Sequence, residues 1–404
     1  MNLNLLEKLN DKQKEAASQI DGSILILAGA GAGKTRTITY RIAHMIENVG
    51  ISPYSILAVT FTNKAAKEMR ERVEELVGDI AKACTISTFH SFGMRLLRMY
   101  GKEVGYNSNF TIYDTDDQKR IVKAILKGQH ISLNGVKLTE RDIVSMISKI
   151  KEQIKTLDEY SVMNKQIVEV YDKYNRALLE SNAMDFSDIL LNTYKLLQKP
   201  EILEKVQNKY KYIMIDEYQD TNNLQYKIID LIARKSSNLC VVGDENQSIY
   251  GFRGANILNI LNFENNYNNA KIVKLEENYR STTTILDAAN ELIKNNKSSK
   301  DKKLWTQNGK GDLIKVLACD NGRDEVSRII EFIRENHQNG VAYRDMTILY
   351  RTNAQSRLFE EGFLRYNIPH KVFGGISFYS RAEIKDIIAY LSIIVNPQDE
   401  LNLQ

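Results

Sequence analysis

Cysteine, proline and tryptophan are scarce in this sequence: three, four and one in 404 residues. Cys84, Cys240 and Cys319 are far apart and form no CxxC spacing. That argues against a disulfide framework or a cysteine zinc site and fits a reducing cytosol. No low-complexity linker or repeat appears. No apolar run approaches the ~20 residues that a membrane helix needs. The first residues, MNLNLLEKLNDKQKEA, carry an early acid and no long apolar core, so they do not read as a secretory signal. Charge of one sign is lacking too: the net charge is +4, a weak basic bias that decides nothing by itself. The length favours two or three domains.

What is present is a series of short β-rich apolar runs. ILILAG (24–29), ILAVTFT (56–62), TISTFH (85–90), YIMIDE (212–217), LCVVGD (239–244) and IVKLE (272–276) each end in small, polar or charged residues. Helix-period patterns separate most of them. Continuous apolar strands alternating with helices predict an α/β fold with a parallel sheet covered on both faces. Such sheets place ligand groups at the carboxyl ends of their strands. Between about 110 and 185 helical patterns dominate, and 119–155 carries nine basic residues (119, 120, 123, 127, 137, 141, 149, 151, 155) against three acids. This stretch is expected to be a helical insertion with a basic face; the bland alternative is a solvated helix surface. A second strand–helix series is expected after 277, with strands at 315–319, 346–351 and 370–375 and a helix over 381–395.

Residues 28–35 read AGAGAGKT, after one predicted strand and before one predicted helix. In that context successive backbone N–H groups and a helix N-terminus cradle phosphates. Ala28 stands where the strict pattern has glycine; it closes the strand, while Gly29, Gly31 and Gly33 meet the demand for turning. Lys34 would reach β/γ-phosphates and Thr35 would ligate Mg²⁺. A plain Gly/Ala-rich turn is the competing reading. Asp216 ends another strand and is placed to hold Mg²⁺, with Glu217 as the base that orients water. Gln247 follows a third strand and is placed to contact the γ-phosphate. Tyr250, Phe252 and Arg253 come next, a combination suited to stacking on nucleic-acid bases. For the two aromatics a core position is the alternative.

AGAGAGKT, TFTNKAAKEM, TFHSF, MDFSDIL, DEYQDTN, VVGDENQSIYGFRGA, LEENYRST, LYRTNAQSR and GGISFYSRAEIKD occur in that order. The set resembles the UvrD/Rep/PcrA group of superfamily-one DNA helicases, the PcrA branch most of all, over nearly the whole chain. The resemblance implies a RecA-like P-loop NTPase domain 1A (1–109 and 186–276) and a helical insertion 1B (110–185). It further implies the first part of a second RecA-like domain 2A (277–386), with 387–404 opening a 2B domain or linker. The implied activity is ATP- and Mg²⁺-dependent 3′→5′ translocation on single-stranded DNA, coupled to strand separation at single-strand/duplex junctions. The implied setting is the bacterial cytoplasm at the nucleoid, as a monomer or weak dimer, beside repair or replication proteins and away from membranes.

Residue roles follow from the same resemblance. Gln13 reads adenine, Tyr279 stacks on it, and Ala28, Gly29, Ala30, Gly31, Ala32, Gly33, Lys34 and Thr35 line the phosphates. Arg280 is an arginine finger from domain 2A. Arg36 touches phosphate or forms a structural ion pair. Phe61, Asn63, Thr88, His90 and Ser91 contact the DNA strand, and Phe186, Tyr250 and Phe252 stack on bases. Phe252 stands where these helicases often have tryptophan. Arg253, Arg351, Asn353 and Arg357 are phosphate or coupling contacts. Family members continue well past this length, with a 2B domain, a coupling motif and a second arginine finger. The expectation is therefore a fragment that binds ATP and single-stranded DNA but turns ATP over poorly, since losing one such arginine costs ~10³–10⁵ in rate. Two alternatives stand: a nucleotide-responsive DNA-binding module, and the helicase part of a recombination nuclease–helicase subunit.

Overall fold

The computed structural model describes residues 5–403 except 129, 134, 154–164, 297–299, 301 and 374–381. The chain forms two compact units: residues 1–312 with 393–404, and residues 313–392.

The first unit is built on six strands, β1 (Ile24–Ala28), β2 (Ile56–Thr60), β3 (Thr85–Thr88), β4 (Tyr212–Ile215), β5 (Leu239–Gly243) and β6 (Lys271–Leu275). Their order across the sheet is β6-β1-β5-β4-β2-β3, and every pairing is parallel. Successive strand residues face opposite ways. Leu25, Leu27, Leu57, Val59, Ile213, Ile215 and Val241 pack on one side against Phe89 and Phe92. Ile24, Ile26, Ala58, Met214, Cys240 and Val242 pack on the other against Ile38, Ile42, Met45 and Val73. Burial on both faces explains why the strands read as unbroken apolar runs. All six predicted strands are present. Because β1, β5, β4 and β2 are neighbours, the turns after their carboxyl ends gather along one edge of the sheet.

Residues 110–185 are mainly helical, with a core of their own that includes Val122, Ile143, Ile147 and Leu178. Arg120, Lys123, Lys127, Lys137, Arg141 and Lys149 are exposed, Lys119 pairs with Asp116, and Lys155 lies outside the described residues. Lys151 corrects the expectation. It belongs neither to a basic face nor to a solvated one, because its side chain is 0% exposed and lies between Asp185 and Asp188. In helix Glu140–Gln153 it falls four residues after Ile147 and eight after Ile143, on the buried stripe. Residues 396–399 are tied to this region as well. Asn396 donates to the carbonyls of Ser181 and Asn182, and the Tyr113 hydroxyl donates to Asp399.

The second unit packs helices Gly322–Gln338 and Ser356–Arg365 around Val326, Ile330, Ile333, Phe359 and Phe363. The strands expected at 315–319 and 346–351 do not form; 370–373 are also irregular, and 374–375 lie outside the described residues. A strand needs a hydrogen-bonded neighbour, and none pairs with these segments among the described residues. Val316 and Leu349 are accordingly 91% and 92% exposed. The helix expected over 381–395 is present as Ala382–Val395, and residue 381 is not described.

Candidate nucleotide and nucleic-acid site

The phosphate loop leaves β1 at Ala28, which is fully buried and closes the strand, and enters helix Lys34–Glu47 at Gly33. Gly31 and Gly33 have φ of +68° and +82°, a region that side chains with a Cβ avoid. Close packing adds a second demand. A Cβ on Gly29 would lie 2.2 Å from Leu304, and one on Gly31 would lie 2.6 Å from the Asn278 amide. The glycines thus admit segments from residues 278–304 against the loop. The free N–H groups of the first helical turn begin at Lys34, with a positive dipole end that favours phosphate.

Asp216 and Glu217 follow β4. Asp216 is buried, and burial, then the charge of Glu217, pushes its carboxyl up to about 6. Its Oδ1 accepts from the Glu217 amide at 3.0 Å. Glu217 has φ of +50°, rare for a residue with a side chain, and such strain concentrates at functional sites. Its Oε2 accepts from Lys34 Nζ and from Gln219 Nε2, each at 2.9 Å. Lys34 Nζ also faces Gln247 Oε1 at 3.5 Å. Three strand ends therefore bring one cation, one strained carboxylate and one amide together. Asp216 and Thr35 offer the hard oxygen donors that suit Mg²⁺, which takes one or two protein ligands and completes its shell with phosphates and water. Among the described residues no cluster of three His, Cys, Asp or Glu side chains is placed to hold a metal.

Residues 277–281 close over the loop. Asn278 donates to the Ala30 carbonyl, and its Oδ1 accepts from the amides of Arg280 and Ser281. The Tyr279 amide donates to the Gly31 carbonyl. Arg280 is exposed, with its Cβ 2.8 Å from the point a Gly31 Cβ would occupy. The Tyr279 ring is half exposed, and its hydroxyl accepts from Asn10 and donates to Glu277. Gln13 is buried; it accepts from the Asn10 amide and donates to the Ala32 carbonyl. It braces the loop, and each end of its amide keeps one further bonding position. Among the described residues Arg36 makes no ion pair. It donates to the Lys8 carbonyl and lies over the Tyr40 ring, which replaces the structural alternative expected for it.

A second surface lies past β2, β3 and β5. Phe61 stacks on Tyr250 with ring centroids 5.4 Å apart, and Tyr250 meets Phe252 at 6.0 Å. Arg253 lies over both of the latter rings. Phe252 is 67% exposed, so it is no core residue. Thr88 caps helix Phe89–Tyr100 through the Ser91 amide, and its hydroxyl donates to Ser91 Oγ and faces Asn63. His90 sits edge-on to Phe186, which is 56% exposed. Burial lowers the His90 pKa, opposed by a hydrogen bond with the Phe186 backbone, so the neutral ring is favoured. Exposed aromatics beside hydroxyls, an amide and a guanidinium suit a flexible polyanion with stackable bases. Arg351, Asn353 and Arg357 belong to the second unit, where Arg357 pairs with Glu361.

Residues 9–268 match the model of the UvrD/REP helicase N-terminal domain, and residues 273–404 match that of the UvrD-like helicase C-terminal domain. The chain belongs to the UvrD/REP helicase family. Similar family members include proteins named ATP-dependent DNA helicase PcrA from Staphylococcus aureus (strain Mu50) and from Staphylococcus epidermidis (strain RP62A). They are 48% and 47% identical, each over 99% of this chain and 55% of the relative. The chain thus spans about half the length of those relatives. No helix among the described residues is long and apolar enough to cross a membrane.

The sequence alone assigns no role to several residues that brace this candidate site. Asn278, Gln219 and Asp244 are buried polar groups that fix Arg280, Glu217 and Gln247. Their only signal was adjacency to the motif residues they hold. Lys302 had no signal, because its carboxylate partners lie 57 and 58 positions away.

Proposed function

We propose that the chain is the ATP-hydrolysing, DNA-gripping part of a 3′→5′ helicase or translocase that acts on single-stranded DNA and single-strand/duplex junctions. One observation carries this reading: residues 244–253 form a single connection that holds Gln247 beside Lys34 and Tyr250 against Phe61. A shift of Gln247 at the γ-phosphate is then a shift of the stacking surface three residues on. That is the coupling a nucleotide-driven DNA motor requires.

In this reading ATP phosphates take Lys34 from Glu217, and Glu217 is then free to accept a proton from the attacking water. Thr35 and Asp216 would hold Mg²⁺, which would supply charge neutralisation at the phosphate oxygens. Tyr279 covers adenine, and Arg280 supplies the planar guanidinium that grips a transferring phosphoryl group. Phe61, Tyr250, Phe252 and Phe186 stack on bases, while Asn63, Thr88, His90, Ser91 and Arg253 contact the strand without reading sequence. The domains are 1A (1–109, 186–276), 1B (110–185) and the first part of 2A (277–386). DNA repair or replication in the bacterial cytoplasm is the setting such chemistry serves.

The test is ATP turnover with and without single-stranded DNA for the chain and for Lys34→Ala. DNA-stimulated turnover that Lys34→Ala abolishes supports the reading. Nucleotide-dependent DNA binding without turnover leaves a binding module instead. Turnover indifferent to Lys34 removes the site altogether.

A further inference from the structure

Lys302 is almost wholly buried: its side chain is 3% exposed, and those of its partners Asp244 and Glu245 are 5% and 1% exposed. Its Nζ donates to Asp244 Oδ1 and, at 2.8 Å, to Glu245 Oε2. The other oxygen of Asp244, Oδ2, accepts from Gln247 Nε2 at 2.7 Å. A carboxylate only accepts, so this bond decides which end of the Gln247 amide faces where. With Nε2 turned to Asp244, Oε1 is presented to Lys34. The Asp244 amide also donates to Gln219 Oε1, and Gln219 Nε2 donates to Glu217. The Asp244 side chain thus orients Gln247, while only its backbone amide bonds Gln219, the partner of Glu217.

The segment that carries Lys302 is fixed at three further points. Leu304 packs over Gly29 of the phosphate loop. The Trp305 amide donates to the Glu276 carbonyl, and the Trp305 carbonyl accepts from Asn278, the residue that sets Arg280. Residues 302–305 thus touch the phosphate loop, the Gln247 turn and the base of the Arg280 turn.

We infer that Lys302 is a positioning residue for ATP hydrolysis. It holds Asp244 so that Gln247 keeps its carbonyl oxygen toward Lys34 and the water that attacks the phosphate. An acceptor at that place serves an attacking water; an inverted amide would present a donor instead. Lys302 itself touches neither nucleotide nor DNA, so its effect falls on turnover rather than on binding. The inference rests on the proposed ATPase function.

The experiment measures kcat and KM for ATP with saturating single-stranded DNA, together with the affinity for a fluorescent ADP. The variants are Lys302→Met, Lys302→Arg, Gln247→Ala and the double variant Lys302→Met/Gln247→Ala. Lys302→Met is expected to lower kcat about tenfold to a hundredfold, as small displacements of catalytic groups do, with KM and ADP affinity changed less than about twofold. Lys302→Arg, which keeps the charge, restores most of the loss. In the Gln247→Ala background Lys302→Met lowers kcat by less than about twofold more, because a residue that acts through another has nothing further to remove. Equal losses in both backgrounds, an unchanged kcat, or ADP affinity falling in step with turnover each overturn the inference. If Lys302→Met does not fold, Asp244→Asn takes its place: a kcat-selective loss supports the inference and normal turnover ends it. A wild-type chain that turns over no ATP removes the functional reading first, and this inference with it.

Discussion

Lys34 Nζ and Glu217 Oε2 lie 2.9 Å apart across 183 positions of sequence. The pair links the glycine-rich loop to the end of β4, and in the proposed ATP site it would compete with phosphate for the same ammonium. Lys34 is 11% exposed while Glu217 is 36% exposed, so the carboxylate can swing away more readily than the lysine. Glu217→Gln is therefore expected to bind ATP at least as tightly as wild type, because the lysine loses a charged competitor. Turnover should fall by ~10²–10⁴ once the base is gone. Lys34→Ala should lose both. Fluorescent-nucleotide titration beside phosphate release separates the two patterns, and a Glu217→Gln chain with weakened nucleotide binding refutes the competition.

Gly31 and Gly50 form a matched pair for the loop. Both have positive φ, +68° and +77°, but a Cβ at Gly31 meets Asn278 and Arg280 while one at Gly50 meets nothing within 4 Å. Gly50→Ala should cost only the ~1–2 kcal/mol of a left-handed alanine. Gly31→Ala should cost more and should weaken nucleotide binding about tenfold by displacing residues 278–280. Thermal melts and nucleotide titration of the two variants decide it. Equal losses at both sites would mean that the 277–281 turn does not bear on the loop.

These two sites mark what the sequence made legible. Lys34, Glu217 and Gln247 were readable because each follows an apolar strand, and parallel topology brings strand ends together. The six sheet strands were readable for the same reason. Lys302 and Asn278 were not, since a buried ion pair or amide depends on a three-dimensional neighbour that no local pattern records. Lys151 sits in a run of basic residues, yet its helical phase with Ile143 and Ile147 puts it on the buried face. Residues 315–319 and 346–351 carry strand-like composition, yet composition supplies no hydrogen-bonding partner.

Lys151 anchors helix Glu140–Gln153 to the turn before Phe186. Its Nζ lies 2.8 Å from Asp185 and 2.7 Å from Asp188, and all three side chains are buried. Burial pulls the lysine pKa down, but the two carboxylates outweigh it and leave it raised, so the ammonium persists through neutral pH. Lys151→Met strands two buried carboxylates and should cost about 3–5 kcal/mol. Adding Asp188→Asn should recover part of the loss by removing one of those charges. Urea unfolding of the single and double variants measures both steps; a double variant less stable than Lys151→Met alone would contradict the assignment.

His90 supplies a pH signature. Burial holds its folded pKa below the ordinary 6.5, so below that pH the unfolded chain takes up a proton that the folded chain refuses. Its contribution to stability is therefore intact above pH 6.5 and is lost progressively as pH falls below it. His90→Gln keeps a polar side chain and removes the titration. The stability difference between wild type and His90→Gln should drift against wild type from pH 7 to pH 5, read as paired thermal melts. A difference that stays flat over that interval means that the ring is not held neutral.

Phe252 tests the proposed nucleic-acid surface, because it is 67% exposed and its loss leaves no core cavity. Tyr250 also stacks on Phe61 and Arg253 also lies over Tyr250, contacts that do not involve Phe252. Stacking on a base is worth ~1–3 kcal/mol, so Phe252→Ala should weaken single-stranded DNA binding by roughly five- to 150-fold. Phe252→Trp offers more ring surface and should tighten binding over wild type. Tyr54 is equally exposed at 67% but lies before β2, at the opposite edge of the sheet, so Tyr54→Ala should change nothing. Fluorescence anisotropy with a labelled thymidine oligonucleotide at fixed salt compares the three. Stacking sets the order tryptophan, phenylalanine, alanine, whereas a purely ionic surface built on Arg253 would bind all three alike and lose affinity only with salt.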